Sequence, residues 1–138
     1  MGNGSLRILL DTHVWIWSQE SLDLLGPNAR DILADEENEL LVSTVSSLEI
    51  ARLIEGGRLT LAGRLQTWIG ESLDALLAAT IPLSHEIAIA AYELPGQFHR
   101  DPADRILVAT ATVYDLTLMT ADDRILAYPH VLSQDARN

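Results

Sequence analysis

The sequence predicts an α/β fold, a three-layer sandwich in which helices cover both faces of a mostly parallel, short-stranded sheet. Short apolar runs alternate with segments of helical periodicity, which is the pattern of βαβ units. The chain has 138 residues, the length of a single domain. Hydrophobic residues make up 48% of it, enough for one buried core. We therefore expect one domain over residues 1–138, with a disordered Gly-rich start at Met1–Ser5.

The first half of the chain supplies two predicted strands. Leu6–Leu10 is an apolar run that ends at an aspartate, and Leu40–Ser43 is a second run of the same kind. Helical spacing begins at His13 and returns at Leu22–Ala34, Val45–Glu55 and Leu61–Ala78. Two glycines after Glu55 provide a stop signal for the helix that they follow.

The second half repeats the alternation. Its predicted strands are Thr80–Leu83, Leu116–Thr120 and a short last strand at Val131–Leu132. Its predicted helices are Glu86–Glu93, Pro102–Tyr114 and a helical turn over Ala121–Ala127. In parallel sheets of this kind the ligand site lies beyond the carboxyl ends of the strands, where the strand order reverses.

Composition excludes several classes of function. The chain has no cysteine, which rules out a disulfide scaffold, a cysteine zinc site and a cysteine nucleophile. It also has no lysine, which rules out P-loop and Schiff-base chemistry. No apolar run approaches the ~20 residues of a membrane helix, and the start lacks a signal-peptide pattern. We expect a cytoplasmic protein without membrane contact.

The acidic residues fall at informative positions. The formal charge is 9 − 20 = −11, so the location of the acids matters. Asp11 ends the first strand, and Asp122 with Asp123 follows the fourth. Glu49 and Asp104 lie in the first turns of two predicted helices. We expect Asp11, Glu49 and Asp122 at the edge that holds the site, and Asp104 joins them if its helix begins there.

Helix capping is the alternative explanation for each acid alone. Asp11 and Asp122 could cap the helices that follow them. Ser46 and Glu49 have the spacing of a capping box. Asp101 followed by proline is typical of a helix start, with Asp104 in the favourable first turn. Capping does not explain why all of these acids should open onto one edge.

Electrostatic repulsion argues for a cation. Two carboxylates ~4 Å apart cost about 4 kcal/mol at an effective dielectric constant near 20. Several together would offset much of the ~5–15 kcal/mol that stabilises a domain. Oxygen ligands of this kind suit Mg²⁺ or Mn²⁺. Such a site fits hydrolysis of a phosphodiester bond.

Four segments, in this order, resemble a known family: Leu9–Trp15, Val45–Ile50, His99–Ala111 and Leu118–Asp122. The chain resembles PIN-domain ribonucleases, in particular the toxins of VapC-type toxin–antitoxin pairs. The resemblance spans nearly the whole chain. It implies a PIN-like α/β sandwich, Mg²⁺- or Mn²⁺-dependent cleavage of RNA, and a cognate antitoxin that blocks the site. Because the net charge of −11 would repel RNA, we also expect a homodimer that joins two weak basic strips into one groove.

The resemblance also assigns roles to residues. The expected catalytic and metal-binding acids are Asp11, Glu49, Asp104 and Asp122. Thr120 matches a hydroxyl at a strand end, and Asp101 and Asp123 are supporting candidates. The chain departs from one toxin subfamily at Ala103, where an aromatic residue is common. That difference concerns packing or substrate fit rather than metal binding.

Candidates for RNA contact are the residues near these acids that carry positive charge or a ring: Arg52, Arg58, Arg100, Arg105, His13 and His99. A structural salt bridge or a structural histidine is the alternative for each. Trp15 and Trp17 are two apart, so they cannot share a helical face. One is expected in the core, and the other could stack on a base. Trp68 is expected in the core or at a dimer surface.

Other functions remain as alternatives. An acid-phosphatase-like hydrolase would need Asp-x-Asp after the first strand and a later lysine, and the chain has neither. A catalytically silent binding module would be expected to have lost one of the four acids. A PIN-domain nuclease of RNA processing would keep the acids without being a toxin. The sequence specifies neither the RNA target nor the number of metal ions.

Overall fold

The computed structural model describes residues 5–138 and contains a five-stranded sheet in the order β3-β2-β1-β4-β5. All strand pairs in it are parallel, which confirms the predicted α/β class. The strands are β1 (Arg7–Leu10), β2 (Glu39–Ser43), β3 (Ala79–Ile81), β4 (Thr117–Thr120) and β5 (Ser133–Asp135). Apart from Ser5, which precedes β1, the predicted disordered start lies outside the described residues.

Helices pack on both faces of the sheet. They are α1 (Thr12–Glu20), α2 (Pro27–Ala34), α3 (Thr44–Glu55), α4 (Leu65–Leu76), α5 (His85–Ala90), α6 (Pro102–Tyr114) and α7 (Asp123–Leu126), with a 3₁₀ turn at Leu22–Leu24. None of the helices within residues 5–138 combines the length and apolarity needed to span a membrane.

The pleat of β1 divides the core into two layers. Ile8 and Leu10 face one side and belong to the cluster that contains Trp15. Leu9 faces the other side and packs in the cluster that contains Leu107 of α6. All of these side chains are almost fully buried, so β1 is the central strand of a sheet that is covered on both faces.

Gly26 divides the predicted helix Leu22–Ala34 into the 3₁₀ turn and α2. Its N–H donates to the Ala136 carbonyl at 2.9 Å, and a Cβ at this position would lie 2.1 Å from the Asn138 backbone. Only glycine therefore lets the end of the chain pack here. Pro27 then starts α2 at its first position, where no backbone N–H is needed.

The predicted last strand was placed wrongly. The strand is Ser133–Asp135, and Val131–Leu132 precedes it. The prediction relied on apolar residues, but β5 is a polar edge strand that pairs with β4 on one side only. The predicted helix Leu61–Ala78 also begins later, at Leu65, after a turn in which Gly63 has a φ of +78°.

Strand order places a crevice between β1 and β4. From β1 the chain moves outward through β2 to β3, and it then returns to pair β4 with the other edge of β1. This reversal is the switch point at which open parallel sheets bind ligands. The Asp11 N–H donates to the Met119 carbonyl at 3.0 Å, which joins the start of α1 to the end of β4.

Candidate active site

An acidic pocket of about 340 Å³ opens at this crevice. It brings together all four of the acids singled out from the sequence. Its lining consists of Asp11, His13, Trp17, Glu49, Asp101, Asp104, Ala121, Asp122 and Arg124. The carboxyl ends of β1 and β4 supply one wall, and the first turn of α6 supplies another. Glu49 lies in the second turn of α3 rather than in the predicted first turn, because α3 already begins at Thr44.

Two hydrogen bonds hold Asp11 in place. Asp11 is the N-cap of α1, and its Oδ1 accepts from the Thr12 N–H at 2.7 Å. Its Oδ2 accepts from the Thr120 hydroxyl at 2.6 Å, and Thr120 Oγ1 in turn accepts from the Asp122 N–H at 3.0 Å. Burial raises the pKa of Asp11, although these two hydrogen bonds oppose the shift.

Glu49 is held by Thr12, and not by a capping box. The cap of α3 is Ser43, whose hydroxyl accepts from the Val45 N–H. The Thr12 hydroxyl donates to Glu49 Oε1 and lies 2.8 Å from the Ser46 hydroxyl. Burial raises the pKa of Glu49, the Thr12 hydrogen bond opposes this, and the charges of nearby aspartates add to it.

Asp104 is buried in the first turn of α6, with 7% of its surface exposed. Its Oδ2 lies 2.7 Å from His99 Nε2 and 3.7 Å from Arg124 Nη2. Burial raises the pKa of Asp104, and the hydrogen bond with His99 counteracts the shift only in part. Asp104 is therefore a desolvated carboxyl that depends on a neighbouring positive or donor group.

Arg124 closes one side of the pocket, and the sequence interpretation did not single it out. Its Nη2 lies 3.0 Å from Asp122 Oδ2, and its Nε donates to Asp122 Oδ1 at 3.3 Å. Partial burial acts to raise the pKa of Asp122, but the hydrogen bonds and charge of Arg124 lower it overall. The sequence signal that could have indicated this contact is the position of the arginine, two residues after an acid at a helix start.

Capping and convergence both occur in this structure. Asp11, Asp101 and Asp122 are the N-caps of α1, α6 and α7. The caps lie on one pocket because these helices all begin at the same end of the sheet. Helix N-terminal N–H groups favour negative charge, so they offset part of the repulsion among the acids.

The donor set fits a hard or borderline divalent cation. One ligand atom each from His99, Asp104 and Asp122 lies within 4.8 Å of the other two. Asp11 and Glu49 add carboxylates to the same pocket. Carboxylate oxygens suit Mg²⁺ and Mn²⁺. Burial raises the pKa of three of these acids, and a bound cation would stabilise their ionised form.

Three other predicted residues lie outside the pocket or at its edge. Asp123 points away and pairs with Arg137 at 2.7 Å, although it adjoins Asp122 in sequence. The Arg105 guanidinium donates to the carbonyls of Ala91, Phe98 and His99, so its hydrogen bonds hold a loop. Arg100 is exposed and does not line the acidic pocket.

A groove continues from the pocket across α1 and α3. His13 lines the acidic pocket and two further clefts of about 500 and 680 Å³. Arg58 lines both further clefts, and Arg52 lines one of them. Trp17 is half-buried along this groove, whereas Trp15 is fully buried against Trp68. The expectation that one of the neighbouring tryptophans is in the core is confirmed.

Comparison with known proteins identifies the fold family. The family model described as PIN domain matches residues 8–131. The chain belongs to the PIN-domain family. Over 123 residues it is 32% identical to Ribonuclease VapC22 of Mycobacterium tuberculosis, covering 89% of this chain and 92% of that protein. The resemblance stated from the sequence is thereby confirmed.

Solved structures agree on the fold. A DNA-bound VapBC from Salmonella typhimurium aligns with a TM-score of 0.70 at 18% identity, over 94% of this PIN domain and 98% of that chain. VapBC2 from Rickettsia felis, bound to a promoter DNA fragment, aligns with a TM-score of 0.66 at 16% identity and the same coverage. At these identities the likeness shows the fold of the PIN domain.

Proposed function

We propose that this PIN domain is a metal-dependent endoribonuclease that acts as the toxin of a toxin–antitoxin pair. The acidic pocket carries the proposal, because buried carboxyls with raised pKa values converge at the switch point of the sheet. The relative at 32% identity is named a ribonuclease, which supports RNA as the substrate. A solved toxin–antitoxin complex from Klebsiella pneumoniae shares the fold, which supports an antitoxin as the partner.

Asp11, Asp104, Glu49 and Asp122 would hold one or more Mg²⁺ or Mn²⁺ ions. When bound, such a cation lowers the pKa of a water and neutralises the phosphate and the leaving oxygen. Thr120 and Thr12 orient Asp11 and Glu49 by their hydroxyls. We assign to Glu49 the acceptance of a proton from the attacking water, because its carboxylate lines the same pocket as Asp11 and Asp104.

The groove beside the pocket is the proposed path of an RNA strand. Arg52 and Arg58 line it. Within residues 5–138 the arginines that form ion pairs with acids are Arg7, Arg124 and Arg137. The guanidinium groups of Arg52 and Arg58 are thus available to phosphates, for which arginine has a matching geometry. Trp17 and His13, whose rings lie 6.2 Å apart, offer faces on which a base can stack.

The proposed partners are a cognate antitoxin and a second copy of the chain. The proposed location is the cytoplasm, where the RNA substrate is found. A chain with a net charge of −11 needs help to hold RNA. Dimerisation would join two grooves, and an antitoxin would place a basic side chain among the carboxylates. Light scattering of the free protein tests the dimer.

Cleavage of a labelled single-stranded RNA tests the catalytic part. We expect cutting with Mg²⁺ or Mn²⁺ and none in EDTA. Asp11→Asn and Asp104→Asn should abolish it, whereas Asp123→Asn is the matched control that should cut normally, because Asp123 points away from the pocket. Robust cutting by the Asp11→Asn protein would contradict the proposed mechanism.

Induced expression in bacteria tests the biological part. We expect growth arrest from the wild type, none from Asp11→Asn, and rescue by co-expression of the proposed cognate antitoxin. An active nuclease that leaves growth unchanged would instead support a role in RNA processing. A folded protein that binds RNA without cutting it would support the silent binding module.

A further inference from the structure

His99 lies among the carboxylates of the site but was not one of the four acids singled out from the sequence. Its Nε2 lies 2.7 Å from Asp104 Oδ2, and a ligand atom of Asp122 lies within 4.8 Å of both residues' ligand atoms. Adjacent ligands of an octahedral ion bound at ~2.1 Å lie roughly 3 Å apart. The separation of His99 Nε2 and Asp104 Oδ2 is close to that value.

The fold fixes the position of the His99 ring. Only 18% of the side chain is exposed, and its ring lies 4.1 Å from the Phe98 ring. Arg105 donates to the His99 carbonyl at 3.0 Å and to the Phe98 carbonyl at 3.1 Å. Because Arg105 and Asp104 are neighbours on α6, the same helix places both the carboxylate and the histidine.

A positive group already contacts this cluster. The Arg124 guanidinium lies 3.0 Å from Asp122 Oδ2 and 3.7 Å from Asp104 Oδ2, two atoms of the carboxylates grouped with His99. Its side chain is 61% exposed, so solvent is available to it if it leaves. The cluster is therefore a place where the fold accommodates a cation, independently of the distances among its ligand atoms.

We propose that His99 Nε2 is a ligand of the divalent cation, together with Asp104 and Asp122, and that this nitrogen makes the site favour Mn²⁺ over Mg²⁺. The inference rests on the proposed function and adds to it a nitrogen donor and a metal preference. Imidazole is a good ligand for transition metals, whereas Mg²⁺ prefers oxygen. A histidine that only donated a proton to the leaving oxygen would show no bond to the metal.

Pulsed electron paramagnetic resonance of Mn²⁺ bound to the tag-free protein tests the inference without RNA. We expect coupling of the manganese electrons to ¹⁴N in the wild type, and loss of that coupling in His99→Gln. The matched control is His13→Gln, because His13 lines the same pocket outside the cluster and its variant should keep the coupling.

Calorimetric titration gives a second readout. The ratio of the Mg²⁺ to the Mn²⁺ dissociation constant should fall several-fold in His99→Gln and stay unchanged in His13→Gln. If His99→Gln does not fold, nitrogen coupling that persists in variants of the other three histidines still assigns the ligand. Mn²⁺ bound without nitrogen coupling overturns the His99 inference alone. A wild type that binds no Mn²⁺ overturns the metal-dependent function as well.

Discussion

At the scale of single residues, Thr120 connects two of the acids. Its hydroxyl donates to Asp11 and accepts from the backbone of Asp122. Replacement by valine should destabilise the protein by ~1–3 kcal/mol, because it leaves a buried acceptor unpaired. Thr120→Ser keeps the hydroxyl and should cost less. Urea unfolding of both variants checks this, and equal losses would mean that packing rather than the hydrogen bond matters.

Arg124 should compete with the metal. Its guanidinium pairs with Asp122 and approaches Asp104, both of which are proposed metal ligands. Arg124→Gln should therefore bind Mn²⁺ several-fold more tightly than the wild type in calorimetry. Arg137→Gln is the control, since Arg137 pairs with Asp123 and Asp135. Equal affinities in all three proteins would show that Arg124 makes only a surface ion pair.

The sequence could predict that the four acids converge, but it could not predict their local partners. Asp11 and Asp122 were predictable because strand ends of a parallel sheet share an edge. The resemblance singled out Asp122 and left Asp123 as a supporting candidate, and only the structure shows that Asp123 pairs with Arg137 instead. Arg124 was missed because its contact with Asp104 depends on how α6 packs against α7, which local patterns do not specify.

At the scale of elements, Asp101 tests capping separately from metal binding. Its Oδ1 accepts from the Ala103 N–H at 2.9 Å at the start of α6. Asp101→Ala should destabilise the protein by about 1 kcal/mol, whereas Asp101→Asn keeps an acceptor and should be nearly neutral. Thermal unfolding compares them. Equal stability of the alanine variant and the wild type would contradict the capping role.

Helix starts were predictable where a chemical signal marks them. Pro102 and Asp101 predicted the start of α6 correctly, because proline suits the first helical position. The predicted position of β5 was wrong because an edge strand needs no apolar alternation. The close approach of Gly26 to Asn138 was hidden, because it joins the start of α2 to the far end of the chain.

At the scale of the whole molecule, the stability of the metal-free protein should depend on pH. Burial raises the folded-state pKa of Asp11, Glu49 and Asp104 above the ordinary values of 3.8 and 4.5. The folded state then binds protons more tightly than the unfolded state, so stability falls as pH rises through this window. Hydrogen bonds from Arg124 and Arg137 outweigh burial and lower the pKa of Asp122 and Asp135, respectively.

The melting temperature in EDTA should therefore rise as pH is lowered from 7 toward the ordinary carboxyl pKa values, and fall in stronger acid as Asp122 and Asp135 become protonated. Saturating Mn²⁺ should reverse the slope, because metal ligands must be deprotonated. General repulsion at a net charge of −11 acts in the same direction as the raised pKa values. The Glu49→Gln protein separates the contribution of the pocket from general repulsion, because its melting temperature should depend less steeply on pH. A wild-type melting temperature that falls steadily below pH 7 in EDTA would contradict this.

The account rests on the claim that the four acids form one cation site, and thermal unfolding of Glu49→Gln tests it most directly. Glutamine keeps the acceptor for Thr12 and removes a charge that faces Asp11 and Asp104. In EDTA we expect a melting temperature equal to or above that of the wild type, with ~1 kcal/mol of relief raising it by roughly 2–8 °C. Millimolar Mn²⁺ should stabilise the wild type and stabilise the variant much less. A variant that is less stable in EDTA, beside a wild type that does not respond to Mn²⁺, would contradict the claim.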